Sequence, residues 1–223
     1  MRLLSWRPAI IIAAVVAIVI VSFALVGTLG TGGQQDQTTV DKATSGTAPA
    51  DQPATVEQRV SPLNRAGQVV APYTVAAVGR GYCWTSSFVN GRLFRCMEGN
   101  KILDPCWKQP GRNSVACLPQ PWSTRVVRVR LDRRLPPTDG SGPTLWGLRL
   151  GGVGVNCLVS MGASGMVAGK PVGFLCEHRW VLLGAAPDKS HPLWTMHTAR
   201  WTGQHYRQHG SRPVTTSWVA VLR

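Results

Sequence analysis

The chain begins with one long apolar run. No residue from Pro8 to Leu29 is charged. As an α-helix this segment would extend about 33 Å, enough to cross a hydrocarbon core of about 30 Å. A single segment in lipid can satisfy its own backbone hydrogen bonds only as a helix. The pattern therefore predicts a transmembrane helix over residues 8–29.

The flanking charges predict how this helix is oriented. Arg2 and Arg7 precede the run, and the next basic residue is Lys42. The positive-inside rule predicts that residues 1–7 are cytoplasmic and that the chain after residue 29 is extracytoplasmic, at the cell membrane. The alternative is a cleaved signal peptide. The apolar core of a signal peptide is normally shorter than this run and is followed by a cleavage site of small residues, which residues 27–30 do not provide. We therefore expect an uncleaved signal anchor and a single-pass membrane protein.

Residues 30–60 show neither helical nor strand periodicity. They are rich in Thr, Gln, Ala, Asp and Pro and contain no aromatic residue. Such a composition buries too little apolar surface to offset its conformational entropy. We interpret this segment as a disordered linker between the membrane and a folded domain.

Short stretches of alternating polarity dominate residues 61–223. In residues 125–131, Val127, Val129 and Leu131 alternate with Arg128 and Arg130, a pattern typical of a half-buried strand. Similar stretches cover residues 144–150, 172–176, 179–183, 193–198 and 214–222. Turn sequences rich in Gly and Pro separate them, and no long helical spacing occurs. The pattern predicts a mainly β domain, a small β-sandwich or an open barrel.

Six cysteines lie in this domain: Cys83, Cys96, Cys106, Cys117, Cys157 and Cys176. An even number fits an oxidising compartment, and 15 pairings are possible. Our first hypothesis is pairing between sequence neighbours, with each short loop contributing about 3 kcal/mol to stability. Because no Cys-x-x-Cys occurs and the spacings match no zinc ribbon or finger, we predict neither a metal site nor a cofactor.

The charge balance is strongly basic. The chain has 24 Lys and Arg against 10 Asp and Glu, and its formal net charge is +14. Residues 61–223 carry all of this excess. Alternation places several arginines on an exposed strand face, and we predict a polyanion-binding patch of Arg125, Arg128, Arg130, Arg133, Arg134 and Arg149. Such a field attracts polyanions over about 8 Å at physiological salt.

Several segments resemble a known signature. They are GYCWTSS at 81–87, RCMEGN at 95–100 and ILDPCW at 102–107, and the later segments at 121–124, 182–188 and 192–195 are also similar. Together they resemble a family of exported or membrane-anchored bacterial proteins with a Cys-rich domain. The resemblance extends from about residue 81 to 218. It implies an envelope location and a disulfide-stapled fold, and it implies no activity or site residue.

No motif predicts a specific catalytic activity. His205 and His209 have the spacing of a zinc-protease pair but lack its Glu, and the nearby Gly and Pro predict a loop. Ser164 lacks the final Gly of a nucleophile elbow. We therefore predict a membrane-tethered, extracytoplasmic binding or scaffolding module. The alternatives are an envelope hydrolase built from scattered His, Glu and Asp residues, and a structural accessory subunit of a membrane complex.

The basic surface also indicates the class of partner. Outside a bacterial membrane the candidates are anionic envelope polymers, lipid headgroups and acidic proteins, and electrostatics alone does not choose among them. Nothing in the sequence predicts binding to a specific nucleic acid.

Overall fold

The computed structural model describes residues 53–162 and 164–223, which belong to one compact unit, Ala48–Arg223. The predicted membrane helix and most of the predicted linker lie outside the described residues. Within the described residues, no helix is both long and apolar enough to span a bilayer. The strands are β1 Val56–Val60, β2 Thr74–Ser86, β3 Phe94–Glu98, β4 Lys101–Lys108, β5 Ser114–Cys117, β6 Arg125–Leu131, β7 Leu145–Leu150, β8 Asn156–Val159, β9 Met166–Val167, β10 Lys170–Cys176, β11 Trp180–Asp188, β12 Thr195–Trp201 and β13 Tyr206–Ala220.

Strands β2 to β6 form a closed five-stranded barrel. Neighbouring strands are antiparallel from β2 through β6, and β6 then pairs in parallel with β2, from Thr74 opposite Arg125 to Gly81 opposite Leu131. The mainly β prediction is confirmed. The parallel pairing closes this barrel and leaves its sheet without a free edge.

The remaining strands form an eight-stranded sheet. Its order is β1-β13-β12-β11-β10-β8-β7, with β9 added to β10. The long strand β13 pairs with β12 along Tyr206–Pro213 and with β7 along Val214–Val219. This second pairing joins β7, β8, β10, β11, β12 and β13 into a closed ring.

Strand β1 corrects the predicted domain boundary. Residues Val56–Val60 were assigned to the linker, yet they pair in parallel with β13 from Thr216 to Ala220. The side-chain oxygen of Gln58 also accepts a 2.8 Å hydrogen bond from Nε1 of Trp218. A strand at the edge of a sheet can be polar on its exposed face, which is why the composition of this segment indicated a linker.

One buried cluster contains residues from both sheets. Trp107 of β4 and Trp146 of β7 are almost fully buried, with ring centroids 6.2 Å apart. Nε1 of Trp107 donates a 2.8 Å hydrogen bond to the carbonyl of Val221. Trp122 contacts Trp218 with 5.5 Å between ring centroids. Burying these large rings supplies much of the hydrophobic stabilisation of a small β domain.

The cysteines pair between sequence neighbours, as predicted. The disulfides are Cys83–Cys96, Cys106–Cys117 and Cys157–Cys176. Each joins residues that lie directly opposite each other on antiparallel strands. The sulfurs of Cys96, Cys106 and Cys117 lie within 4.8 Å of one another. Because all three are in disulfides, they do not offer the thiolates that a metal ion would need.

Candidate anion-binding surfaces

The strand β6 carries the centre of the predicted arginine patch. Val129 is fully buried, whereas Arg130 is exposed and Arg128 is half-buried. Val127, Val129 and Leu131 pack in the core of the barrel, as the alternation predicts, whereas Val126 is buried on the opposite face, in the cluster that contains residues from both sheets. Arg128 and Arg130 share the face of Val126 and so stay out of the barrel core.

These two arginines line a groove with a third arginine that the sequence analysis did not select. A cavity of about 410 Å³ is lined by Val78, Arg112, Asn113, Ser114, Arg128, Arg130 and Leu131. A second cavity of about 480 Å³ shares Arg112 and Arg128. We call this surface the β6 groove. Arg112 enters it because Ser114 of β5 lies opposite Arg130 of β6. The turn sequence Gly-Arg-Asn at 111–113 was the available signal, but it gives no strand pairing.

Few carboxylates compensate the charge of the β6 groove. Arg80 lies opposite Arg130 in the β2–β6 register and forms an ion pair of 3.1 Å with Asp132. Within the described residues, no carboxylate lies within 4.0 Å of the guanidinium of Arg112, Arg128 or Arg130. In the same part of the chain, Nε of Arg128 is buried without a hydrogen-bond partner. The groove therefore combines uncompensated positive charge with unused donor capacity.

The other predicted arginines do not join this groove. Arg133 lies over the ring of Tyr82, with its Cζ 3.7 Å from the ring centroid. Arg125 and Arg134 are exposed. Arg149 lies on β7 of the second sheet, opposite Thr216. The predicted six-residue patch is therefore divided between the two sheets.

An aromatic strip continues from the arginines along the first barrel. The rings of Tyr82 and Trp84 are 6.4 Å apart on β2. The guanidinium of Arg95 lies 5.5 Å from the ring of Trp84 and 4.3 Å from that of Phe88. Phe88 is 58% exposed. In such an arrangement, the guanidinium groups can bind the anionic groups of a polymer, and the exposed aromatic rings can stack against its planar or apolar groups.

Among the described residues, Asp104 of the first barrel is the one buried carboxylate. It accepts a hydrogen bond from the Ser87 hydroxyl and one of 3.3 Å from the amide of Phe88. Nε of Arg95 lies 4.0 Å away. Burial raises the pKa of Asp104 from its ordinary 3.8 to about 6, although Ser87, Phe88 and Arg95 oppose that rise. With no histidine among these partners, Asp104 lacks the base that a hydrolytic site would need.

The loop interpretation of residues 205–209 holds for His205, which lies in the turn before β13, but not for His209. His209 lies within strand β13, and its ring centroid is 4.8 Å from that of Trp180. With His178 it lines a cavity of about 520 Å³ whose lining contains no carboxylate. The sequence did contain a signal for this cavity, because basic and aromatic residues are neighbours in the segments 178–180, 200–201 and 206–209. These three segments are separate in sequence, and only the register of the sheet brings them together.

No protein-family model, curated protein or solved structure gives a significant match to this chain, so its resemblance to exported bacterial proteins stays a prediction.

Proposed function

We propose that this protein is a membrane-tethered, extracytoplasmic binding or scaffolding module of the bacterial cell envelope, which docks on an anionic envelope polymer. The observation that carries the proposal is the β6 groove. It brings Arg112, Arg128 and Arg130 together with no carboxylate in the described residues close enough to neutralise them. The apolar run at residues 8–29 supports the membrane anchor, and the disulfides support an oxidising compartment.

A polymer fits this surface better than a small anion does. The cavities of the β6 groove share two arginines and so extend along the barrel. Each guanidinium that contacts a phosphate of a polyanion releases condensed counterions, which makes binding favourable and strongly salt-dependent. The exposed rings of Trp84 and Phe88 add apolar surface for the uncharged parts of such a chain.

The hydrolase alternative has less support. A hydrolase needs a base and an acid or nucleophile within hydrogen-bond reach of one substrate. In the described part of the chain, the cavity with two histidines has no carboxylate in its lining, and buried Asp104 has Ser87, Phe88 and Arg95 as its partners. These side chains favour holding an anion over cleaving a substrate.

A salt titration tests the proposed function. The full-length protein in neutral detergent is applied to immobilised polyphosphate and to an uncharged matrix between 50 and 200 mM salt. We expect retention on polyphosphate alone, with an affinity that falls by about 10-fold or more across this range. Retention that does not change with salt, or that is equal on both matrices, would contradict polyanion docking.

A further inference from the structure

The closed ring of the second sheet has an open end formed by two turns. A short 3₁₀ turn, Glu177–Arg179, joins β10 to β11, and residues 202–205 join β12 to β13. Both turns lie at the same end because Trp180 pairs with Arg200 and Trp201 pairs with Tyr206. We call the cavity between them the β11–β12 mouth. It is lined by His178, Arg179, Arg200, Trp201, Thr202, Arg207 and His209.

The charges of this mouth repel one another. Arg200 and Arg207 lie directly opposite each other on β12 and β13, an arrangement that destabilises a strand pair. Arg179 adds a third guanidinium to the lining. The nearest acid in sequence, Glu177, instead accepts hydrogen bonds of 3.1 and 3.4 Å from the amide and side chain of Asn156. No ion pair to these three arginines occurs within the described residues. A bound anion would remove the repulsion.

The backbone of the mouth is strained at two of its lining residues. His178 has a φ of 55° and Arg179 a φ of 64°. They are the central residues of a turn in which the amide of Trp180 donates to the carbonyl of Glu177. Positive φ at both central positions is the type I′ pattern, for which Asn-Gly is the favoured sequence. A positive φ is energetically unfavourable for both His and Arg, and backbone strain of this kind occurs most often at functional sites such as ligand-binding sites.

A buried indole behind the lining of the mouth contacts two of the lining residues, Arg200 and His209. Trp180 is 6% exposed, and its ring is covered by the His209 ring and by two guanidinium groups. The Cζ atoms of Arg200 and Arg212 lie 5.8 and 4.9 Å from the ring centroid. Nε of Arg212 is buried and has no hydrogen-bond partner among the described residues. Cation–π contacts of this kind hold guanidinium groups in place before a ligand arrives.

An apolar cavity adjoins the cationic one. It has a volume of about 740 Å³, shares Arg179 and Trp201 with the mouth, and is also lined by Leu175, Val181 and Tyr206. The rings of Trp201 and Tyr206 are 5.0 Å apart. A ligand that spans both cavities therefore needs an anionic group joined to an apolar or planar group.

We propose that the β11–β12 mouth binds a phosphate ester. The phosphate lies among Arg179, Arg200 and Arg207, whose forked donors match its oxygens, and the esterified group lies against Trp201 and Tyr206. A dianionic group with several acceptor oxygens suits three guanidinium groups better than a carboxylate does. This site shares no residue with the β6 groove, so either site can bind its ligand if the other does not.

Titration of the full-length protein in neutral detergent, followed by tryptophan fluorescence and calorimetry, tests this assignment. The probes are phenyl phosphate, inorganic phosphate and phenol. We expect phenyl phosphate to bind at least 10-fold more tightly than either of the others. Equal affinity for phenyl phosphate and phenol would overturn the cationic subsite, and equal affinity for both phosphates would overturn the apolar one. Glucose 1-phosphate and a short-chain phosphatidic acid, compared in the same assay, identify a sugar or a lipid as the natural ester.

Substitutions locate the binding. Arg207 and Arg134 are both exposed. We expect R207A to weaken phenyl phosphate binding at least 10-fold and the control R134A to leave that binding unchanged. If both variants lost affinity equally, or neither lost it, the proposed site would be wrong.

A turn variant distinguishes a binding role from a structural one. The variant H178N/R179G replaces the two strained residues by the favoured turn sequence. It removes two side chains from the lining and relieves the strain of positive φ. We expect the Tm to rise by about 2–6 °C while the affinity for phenyl phosphate falls. An unchanged affinity would contradict the proposal, whatever the direction of the Tm shift.

Discussion

Arg95 of β3 and Asp104 of β4 face each other in the first barrel, with Nε of Arg95 4.0 Å from the carboxylate oxygen Oδ2 of Asp104. Asp104 is 1% exposed. The guanidinium of Arg95 also lies over the ring of Phe88. Because burial outweighs this partner and two hydrogen bonds, the pKa of Asp104 is raised to about 6. The folded protein therefore holds a proton on this carboxyl over a pH range in which the unfolded chain has released it.

Replacement of Asp104 by Asn should change how stability depends on pH. Between its ordinary pKa of 3.8 and about 6, the folded state binds more protons at this carboxyl than the unfolded state does, so the contribution of Asp104 to the free energy of unfolding falls as pH rises from 4 to 6. Over that range the fall is about 2 kcal/mol. We expect D104N to lack it in urea denaturation series, whereas D132N, which changes an exposed carboxylate, keeps the wild-type slope. The same slope in D104N and wild type would refute this account of the buried carboxyl.

Reversing two charges of the β6 groove should weaken polyanion binding without unfolding the domain. Arg112 and Arg130 are both exposed, so R112E/R130E removes two favourable contacts and adds two repulsive ones at little cost to packing. We expect polyphosphate affinity at 100 mM salt to fall at least 10-fold and the log–log salt slope to decrease by about 2.

The matched control for this variant is R134E/R149E. It makes the same change in net charge with arginines that are exposed and lie outside the groove lining. If the two double variants bound polyphosphate equally weakly, net charge and not the β6 groove would explain the affinity.

The sequence predicted strands well where one face is polar and poorly where both faces are buried. Strand β6 was recognised with its observed bounds because Arg128 and Arg130 alternate with the apolar residues Val127, Val129 and Leu131. Strand β4 was missed because residues 103–107 are buried one after another, which leaves no alternation to detect.

The sites depend on pairings between residues that are distant in sequence. Arg128 and Arg130 were predicted to be exposed on one strand, but Arg112 joins them only through the β5–β6 register. Similarly, Arg200 faces Arg207 because β12 and β13 pair there. The cysteine pairing was predictable because each disulfide closes a short loop between adjacent strands, whereas the parallel closure of β2 on β6 spans a long stretch of chain.

The disulfide Cys157–Cys176 should contribute substantially to stability. It joins opposite residues of β8 and β10 and closes a loop with a sequence separation of 19. In the chain-entropy model, such a cross-link restricts the unfolded state by about 3 kcal/mol. We expect C157A/C176A to lose about that much in urea denaturation and to keep its far-ultraviolet circular dichroism.

The oxidation state itself can be measured separately. The wild-type protein, denatured without reductant and treated with an alkylating agent, should take up no label, because all six cysteines are paired. Labelling of several thiols in protein isolated from its native membrane would contradict both the pairing and the oxidising compartment.

Gly173 should tolerate no side chain. It lies at a register shift between Val172 and Phe174 in β10, and a Cβ placed on it would lie 1.8 Å from the carbonyl oxygen of Gly184. Because that neighbour is backbone in the paired strand β11, relief requires the two strands to separate. We expect G173A to destabilise the protein by about 3 kcal/mol in urea denaturation.

Gly142 provides the control for this substitution. A Cβ placed on Gly142 would have no atom within 4 Å, and this residue has no positive φ, so G142A should leave stability within about 0.5 kcal/mol of wild type. Equal stability of the two variants would show that β10 and β11 do not approach each other so closely at this position.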